Sequence, residues 1–158
     1  MTGLEPRDFT WVIQGRLAVS ERIGGYGFQH RRVRREEEIA WLKNAGVTSV
    51  LSLLQGNQNI TAYETAGFAT LHQPLTDLEP ETIAAVFKTL DVGLRAPGAV
   101  LLVHRDIIDE AVAGILAGYL VHSDLVEDPI VAIHAIQEIL KRPLGPEARR
   151  MVPGATGG

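Results

Sequence analysis

Short apolar runs alternate with longer segments of helical periodicity along most of the chain. The apolar runs predict strands, and the segments with apolar residues three and four positions apart predict helices. Strands are expected at residues 11–13, 17–19, 47–54, 68–73 and 99–103, and helices at 34–45, 61–66, 81–95, 111–120, 128–141 and 143–151. This alternation indicates an α/β domain, with a central, mostly parallel twisted sheet flanked by helices on both faces.

One domain accounts for the length of the chain. The 158 residues are close to the usual size of a single domain. We expect that domain to span residues 9–152, with flexible tails at 1–8 and 153–158. Hydrophobic residues make up 46% of the chain and charged residues 22%, which excludes disorder of the whole chain.

Charge and hydropathy limit the classes of partner. The formal net charge is −4, whereas nucleic-acid-binding domains usually carry an excess of basic residues, so no nucleic-acid partner is expected. The longest mostly apolar stretch, residues 111–121, is shorter than the ~20 residues that span a bilayer. We therefore expect a cytoplasmic protein with no membrane attachment. The sequence leaves open whether it forms a homo-oligomer.

The chain contains no cysteine. This excludes disulfides, thiolate metal sites, iron–sulfur clusters and a cysteine nucleophile. The five histidines form neither an HExxH motif nor a pair at helical i, i+4 spacing, so we expect no metal and no cofactor. The nearest approach to a ligand set is His104 with Asp106 and Asp109.

Several segments, taken in order, resemble the cysteine-dependent tyrosine and dual-specificity phosphatases. WVIQGRLAVS is similar to the opening strand pair of that family, and REEEIAWLKNAGVTSVLSLL to its first helix and the strand that follows. YETAGFATLHQPLTD is similar to the stretch that ends at the general-acid aspartate, and GAVLLVH to the strand that enters the phosphate-binding loop. AGYLV and PIVAIHAIQEIL are similar to the helices behind that loop. The resemblance covers residues 11–152 and implies a phosphatase-like fold.

The loop after GAVLLVH departs from the family's active-site pattern, His-Cys-x-x-Gly-x-x-Arg. Counted from His104, the cysteine position holds Arg105, the glycine position Ile108 and the arginine position Ala111. A protonated guanidinium cannot act as a nucleophile, and an alanine cannot hold phosphoryl oxygens. The branched side chain of Ile108 also stands where a close approach of phosphate to the backbone favours glycine. The loop therefore argues against phosphatase chemistry.

Carboxylates add to that argument. Asp106, Asp109 and Glu110 lie in the same loop and would repel a phosphate dianion. Asp77 is the residue that resembles the family's general acid. It has two interpretations: it caps the helix that starts near residue 79, or it forms an ion pair with Arg105 across the former active site.

We expect Arg105 to pair with at least one of Asp77, Asp106 and Asp109. It directly follows an apolar strand at the centre of the sheet's carboxyl edge, where an unpaired charge is costly. The same reasoning predicts that the side chain is largely withdrawn from solvent.

A basic run formed by Arg31, Arg32, Arg34 and Arg35 precedes three glutamates at residues 36–38. The favoured interpretation is a solvated helix start, with glutamates near the positive end of the helix and an exposed Arg34–Glu38 pair at i, i+4. The alternative is a patch that binds an anion or a partner.

Together these features imply a catalytically degenerate, dual-specificity-phosphatase-like protein that acts by binding or assembly, on an unknown protein partner or small molecule. The alternative is an enzyme of another class that reuses the former phosphate pocket for acid–base or electrostatic catalysis. Its candidate catalytic residues are Asp77, Arg105, Asp106 and Asp109, and its candidate pocket residues are His104, Ile108, Glu110 and Ala111. The sequence leaves open whether the protein is an enzyme and excludes only a cysteine-dependent phosphatase.

Overall fold

One five-stranded sheet runs through the computed structural model, which describes residues 3–57 and 59–155. Its strands are β1 (Thr10–Ile13), β2 (Leu17–Glu21), β3 (Ser49–Ser52), β4 (Ala69–His72) and β5 (Leu101–Arg105). Their order across the sheet is β1-β2-β5-β3-β4. β1 is antiparallel to β2, and every other neighbouring pair is parallel. The predicted mostly parallel sheet is confirmed.

Helices cover both faces of the sheet. They are α1 (Arg32–Asn44), α2 (Ile60–Thr65), α3 (Pro80–Arg95), α4 (Glu110–His122), α5 (Pro129–Leu140) and α6 (Pro146–Arg150). Successive side chains of a strand point to opposite faces, and β5 shows the division clearly. Leu101 and Val103 join a core with residues of α3 to α6, whereas Leu102 joins a second core with residues of α1 and α2.

The buried helix α4 packs closely against its neighbours, as its small residues predict. A Cβ atom at Gly114 would come within 3 Å of the side chain of Met151 and the backbone of Ala148, and one at Gly118 would meet Phe87. The two glycines therefore allow α3 and α6 to approach α4. This packing fixes the position of the loop that enters α4.

β5 is longer at its carboxyl end than the apolar run predicts. The expected strand ends at residue 103 and the expected loop begins at His104, but the strand continues through Arg105. β5 has a parallel neighbour on each side, and its last residues pair with β2 as Ser20 with His104 and Glu21 with Arg105. Backbone pairing thus carries two polar residues into the strand, and the loop shrinks to residues 106–109.

The predicted tails lie partly outside the described residues. Within the described part, the Leu4 N–H donates to the Glu37 carbonyl oxygen at 3.1 Å, and Pro6 is buried. At the other end, the Ala155 N–H donates to the Val152 carbonyl oxygen at 3.1 Å. The extent of the domain, residues 9–152, stays a prediction. Over residues 3–57 and 59–155, no helix combines the length and the apolar character that a membrane crossing requires.

Candidate functional site

The carboxyl ends of the four parallel strands share one edge of the sheet. The segments that leave this edge follow β2, β3, β4 and β5, and they include residues 22–31, 53–57, 73–79 and 106–109. In open α/β sheets ligands bind in the crevice at this edge. The candidate site predicted from the sequence lies here.

Arg105 stands at the end of the central strand and is held by two neighbours. Its Nη1 lies 3.2 Å from the nearer carboxylate oxygen of Asp109, and its Nη2 donates to the Leu75 carbonyl oxygen at 3.0 Å. The predicted pairing with one of the three aspartates is confirmed. The side chain keeps 27% of its surface exposed, which agrees with the prediction that it is largely withdrawn from solvent.

Asp109 has a second task beside its contact with Arg105. Its Oδ1 accepts a hydrogen bond from the Val112 N–H at 3.1 Å, and Asp109 is the N-cap of α4. N-cap aspartates satisfy a helix N–H that has no partner within the helix. The carboxylate that neutralises Arg105 is therefore also tied to the start of the helix.

The other two loop carboxylates point in different directions. Asp106 lies 3.7 Å from Arg22 Nη1 and is half-exposed. Glu110 turns away from the loop, and its Oε1 accepts from the Ala148 N–H in α6 at 3.1 Å. Of the three acidic groups predicted to oppose phosphate, Glu110 is thus engaged with the packing of α6.

A cavity of about 350 Å³ lies against this loop and is lined by Tyr26, Arg105, Asp106, Ile107 and Asp109. Its walls carry two carboxylates against one guanidinium, which disfavours a bound dianion. The aromatic wall comes from the glycine-rich loop after β2. Nothing in the local sequence signals that contact, because Tyr26 and the loop are about 80 positions apart.

The remaining predicted pocket residues lie outside the lining of this cavity. Ile108 and Ala111 are half-buried and pack against the larger core. The Ile108 carbonyl oxygen accepts a hydrogen bond from Arg142 Nη1. The loop is therefore fastened from behind, by the segment between α5 and α6.

Known structures share this architecture, although no family model and no curated protein sequence matches the chain. Kinase associated phosphatase (KAP), with its catalytic cysteine replaced by serine, superposes with a TM-score of 0.73 at 16% identity, covering 94% of this chain and 93% of that one. Human DUSP28 gives 0.64 at 17% identity over 98% and 96%, and Tk-PTP 0.67 at 15% over 90% and 91%. The chain has the fold of the dual-specificity and tyrosine phosphatases.

Within this phosphatase fold, Asp77 does not meet Arg105. Its side chain is exposed, and Oδ1 accepts from the Glu79 N–H at 3.0 Å, at the start of α3. Hydrogen bonds from Thr82 and from the Glu79 backbone lower the pKa of Asp77 below its ordinary value. The predicted Asp77–Arg105 pair is wrong, because the Thr82 side chain and the Glu79 N–H hold the carboxylate locally. The capping interpretation is not met either, since Glu79 is the N-cap of α3 and no side chain of the described residues caps this helix.

His104 is buried completely in the phosphatase fold. Its Nδ1 accepts from the Ile23 N–H at 3.2 Å, and its ring contacts Tyr63 edge-on. Burial, with a smaller contribution from Arg22, lowers the pKa of His104 to about 3. The ring is therefore neutral at physiological pH and joins β5 to the segment after β2. Across the described residues, no cluster of three or more metal-binding side chains comes together.

The double role of Asp109 predicts how the Arg105 pair responds to mutation. Arg105→Ala should lower the free energy of unfolding by about 1 kcal/mol, since a partly exposed ion pair contributes little to stability. Arg105→Met with Asp109→Leu should still cost about 1 kcal/mol, because leucine cannot cap α4. Urea unfolding measures both changes.

A matched variant separates the cap from the charge. Arg105→Met with Asp109→Asn removes the ion pair but keeps a capping side chain, so its stability should stay close to that of the unmodified protein. Equal losses in the Leu and Asn double variants would contradict the assignment of a capping role to Asp109.

Proposed function

We propose that this protein is a degenerate member of the phosphatase family that acts by binding or assembly and not by phosphoryl transfer. The observation that carries the proposal is Arg105 at the position resembling the nucleophile, engaged by Asp109 and by the Leu75 carbonyl oxygen. We also propose that residues 9–152 act as one domain in the cytoplasm.

The chemistry of the loop supports this function in two ways. Phosphoryl transfer through a covalent intermediate needs a nucleophile, and arginine stays protonated in proteins. It also needs preorganised donors for the phosphoryl oxygens. The side chain of Ala111 provides no such donor, and the cavity walls carry the carboxylates of Asp106 and Asp109. An arginine side chain that is held in place by Asp109 and by the Leu75 carbonyl oxygen is suited to keeping the shape of a binding surface.

A second candidate is an enzyme of another class, and the open cavity of about 350 Å³ beside Arg105 favours it. Arg105 and Asp106 would then act on a small molecule, without Asp77, which lies at the start of α3. A small-molecule screen by thermal shift distinguishes the candidates. A stabilising compound that is converted to product, with turnover lost in Asp106→Asn, would favour the enzyme.

Turnover of phosphate esters tests the main proposal. With p-nitrophenyl phosphate and phosphotyrosine peptides as substrates, the release of phosphate should equal that of the buffer blank. Asp77→Asn is the matched control, because it removes the candidate general acid and leaves Arg105 in place. If Asp77 acted as a general acid, this change would abolish the activity. Turnover above the blank that disappears in Asp77→Asn would overturn the proposal.

A further inference from the structure

A second polar cavity lies beside the Arg105 loop, between the segment after β2 and the segment after β3. Its volume is about 420 Å³, and it is lined by Arg22, Gly27, His30, Gly56 and Asn59. Small-molecule sites range over roughly 300–1,000 Å³, so the cavity has room for a ligand. Its lining does not include Arg105.

Arg22 gives this cavity a positive charge that is poorly compensated. Its side chain is 20% exposed, and Oδ1 of Asp106 lies 3.7 Å from Nη1, beyond hydrogen-bond distance. That oxygen is itself buried without a hydrogen-bond partner among the described residues. The Nε of Arg22 is buried and has no hydrogen-bond partner among the described residues. Buried polar atoms are usually satisfied, so this guanidinium has unused capacity to donate.

A second arginine adds charge from behind the cavity wall. Arg35 points inward from α1, and its Nη1 donates to Asn59 Oδ1 at 2.8 Å. Its Nε, like that of Arg22, is buried without a partner in the described part of the chain. The neighbouring Arg34 behaves differently, because Glu38 neutralises it at 2.6 Å. Within residues 3–57 and 59–155, the hydrogen bond found for the Arg35 guanidinium goes to the neutral amide of Asn59, so its positive charge adds to that of Arg22 near the cavity.

The contact between Arg35 and Asn59 also orients a histidine. Since Oδ1 of Asn59 accepts from Arg35, its Nδ2 is the atom that lies 2.9 Å from His30 Nε2. That ring nitrogen must accept the hydrogen bond, which leaves the ring proton on Nδ1. Burial, followed by repulsion from Arg22 and Arg35, lowers the pKa of His30. The cavity thus has a neutral imidazole and an arginine in its lining, and no carboxylate.

We propose that this cavity binds an oxyanion of the phosphate class, either free phosphate or a phosphate monoester on a small molecule. Arg22 contacts the anion, and Asn59 and His30 line the cavity around it. Arg35 lies behind the lining and adds electrostatic attraction. Gly27 and Gly56 leave the backbone open to close approach. The proposal goes beyond the binding role of the Arg105 loop, because it uses other residues and holds whether or not that loop turns over a substrate.

Calorimetric titration with inorganic phosphate and with phenyl phosphate tests it. Both probes should show saturable binding that weakens with added salt, and Arg22→Gln should raise Kd by about tenfold or more, since bonds to charged groups are strong. Arg32→Gln is the matched control, because Arg32 is an arginine of α1 with an 82% exposed side chain outside the cavity. It should change Kd by less than about twofold. Tighter binding of phenyl phosphate would identify the monoester as the ligand class.

Amide NMR of the unmodified protein locates the anion and keeps the test valid if Arg22→Gln unfolds. The amides of Gly27, Gly56 and Asn59 should shift on titration, and Arg22→Lys should retain part of the binding. Absence of saturable binding by either probe would overturn the proposal. So would binding that survives Arg22→Gln and is lost in Arg105→Gln, since the anion would then lie in the Arg105 loop.

Discussion

Replacing Arg34 with alanine is expected to lower the free energy of unfolding by about 3 kcal/mol, because removing one partner of a buried ion pair leaves the other charge uncompensated. Glu38 is only 1% exposed and Arg34 19%, and their atoms Oε2 and Nε lie 2.6 Å apart. The other carboxylate oxygen of Glu38 accepts from the Gly24 N–H at 2.8 Å. The loss should therefore loosen the glycine-rich loop as well as α1.

The same helix contains a matched control for this prediction. Arg32 and Glu36 are also paired at i, i+4, but their side chains are 82% and 57% exposed. Arg32→Ala should cost about 0.3–0.5 kcal/mol, as is usual for exposed helix pairs. Chemical unfolding of both variants gives the comparison. If Arg34→Ala lowers the free energy of unfolding by no more than Arg32→Ala does, burial does not strengthen the Arg34–Glu38 pair and the prediction is wrong.

Restoring the family's two missing residues should not restore phosphatase activity. In Arg105→Cys with Ala111→Arg, hydrolysis of p-nitrophenyl phosphate should stay at the level of the blank. Asp109 would lose its cationic partner and remain at the cap of α4, and Asp106 would still face the loop cavity. Nearby carboxylates disfavour the thiolate, so the pKa of the new thiol should lie at or above the ordinary value of about 8.5.

Alkylation by iodoacetamide across pH measures that thiol pKa. Ala111→Arg alone is the control for stability, because Ala111 packs against the core and a long side chain there can disturb it. A thiol with a strongly lowered pKa, or turnover well above that of the Ala111→Arg control, would contradict this prediction. Either result would show that the backbone N–H groups of the loop stabilise negative charge more than its carboxylates repel it.

Local patterns were sufficient to predict the layers of the fold. The short apolar run of residues 99–103 predicts the central strand, because a strand covered on both faces is typically apolar throughout. The spacing of Gly114 and Gly118 predicts the close packing of α4. Polar residues that join a strand through backbone hydrogen bonds leave no comparable pattern in the sequence. The continuation of β5 through His104 and Arg105 therefore could not be predicted.

The pairings at the site depend on contacts between distant parts of the chain. The pairing of Arg105 could be predicted because a charge at the sheet edge requires a partner, and Asp109 is four residues away. The Arg34–Glu38 pair was predicted to be exposed, and this prediction is wrong because the pair is buried. Its spacing is the same whether or not the loop after β2 folds over it, and the Gly24 contact that buries Glu38 is not visible in the helix sequence.

The most direct test of the central claim, that the Arg105 loop does not hold a phosphoryl group, is an amide NMR titration with orthovanadate, which mimics the transition state of phosphoryl transfer. The amides of residues 106–111 should not shift at vanadate concentrations that saturate an active phosphatase. Saturable shifts of these amides that disappear in Arg105→Gln would contradict it, because the loop would then bind the group it is argued to exclude.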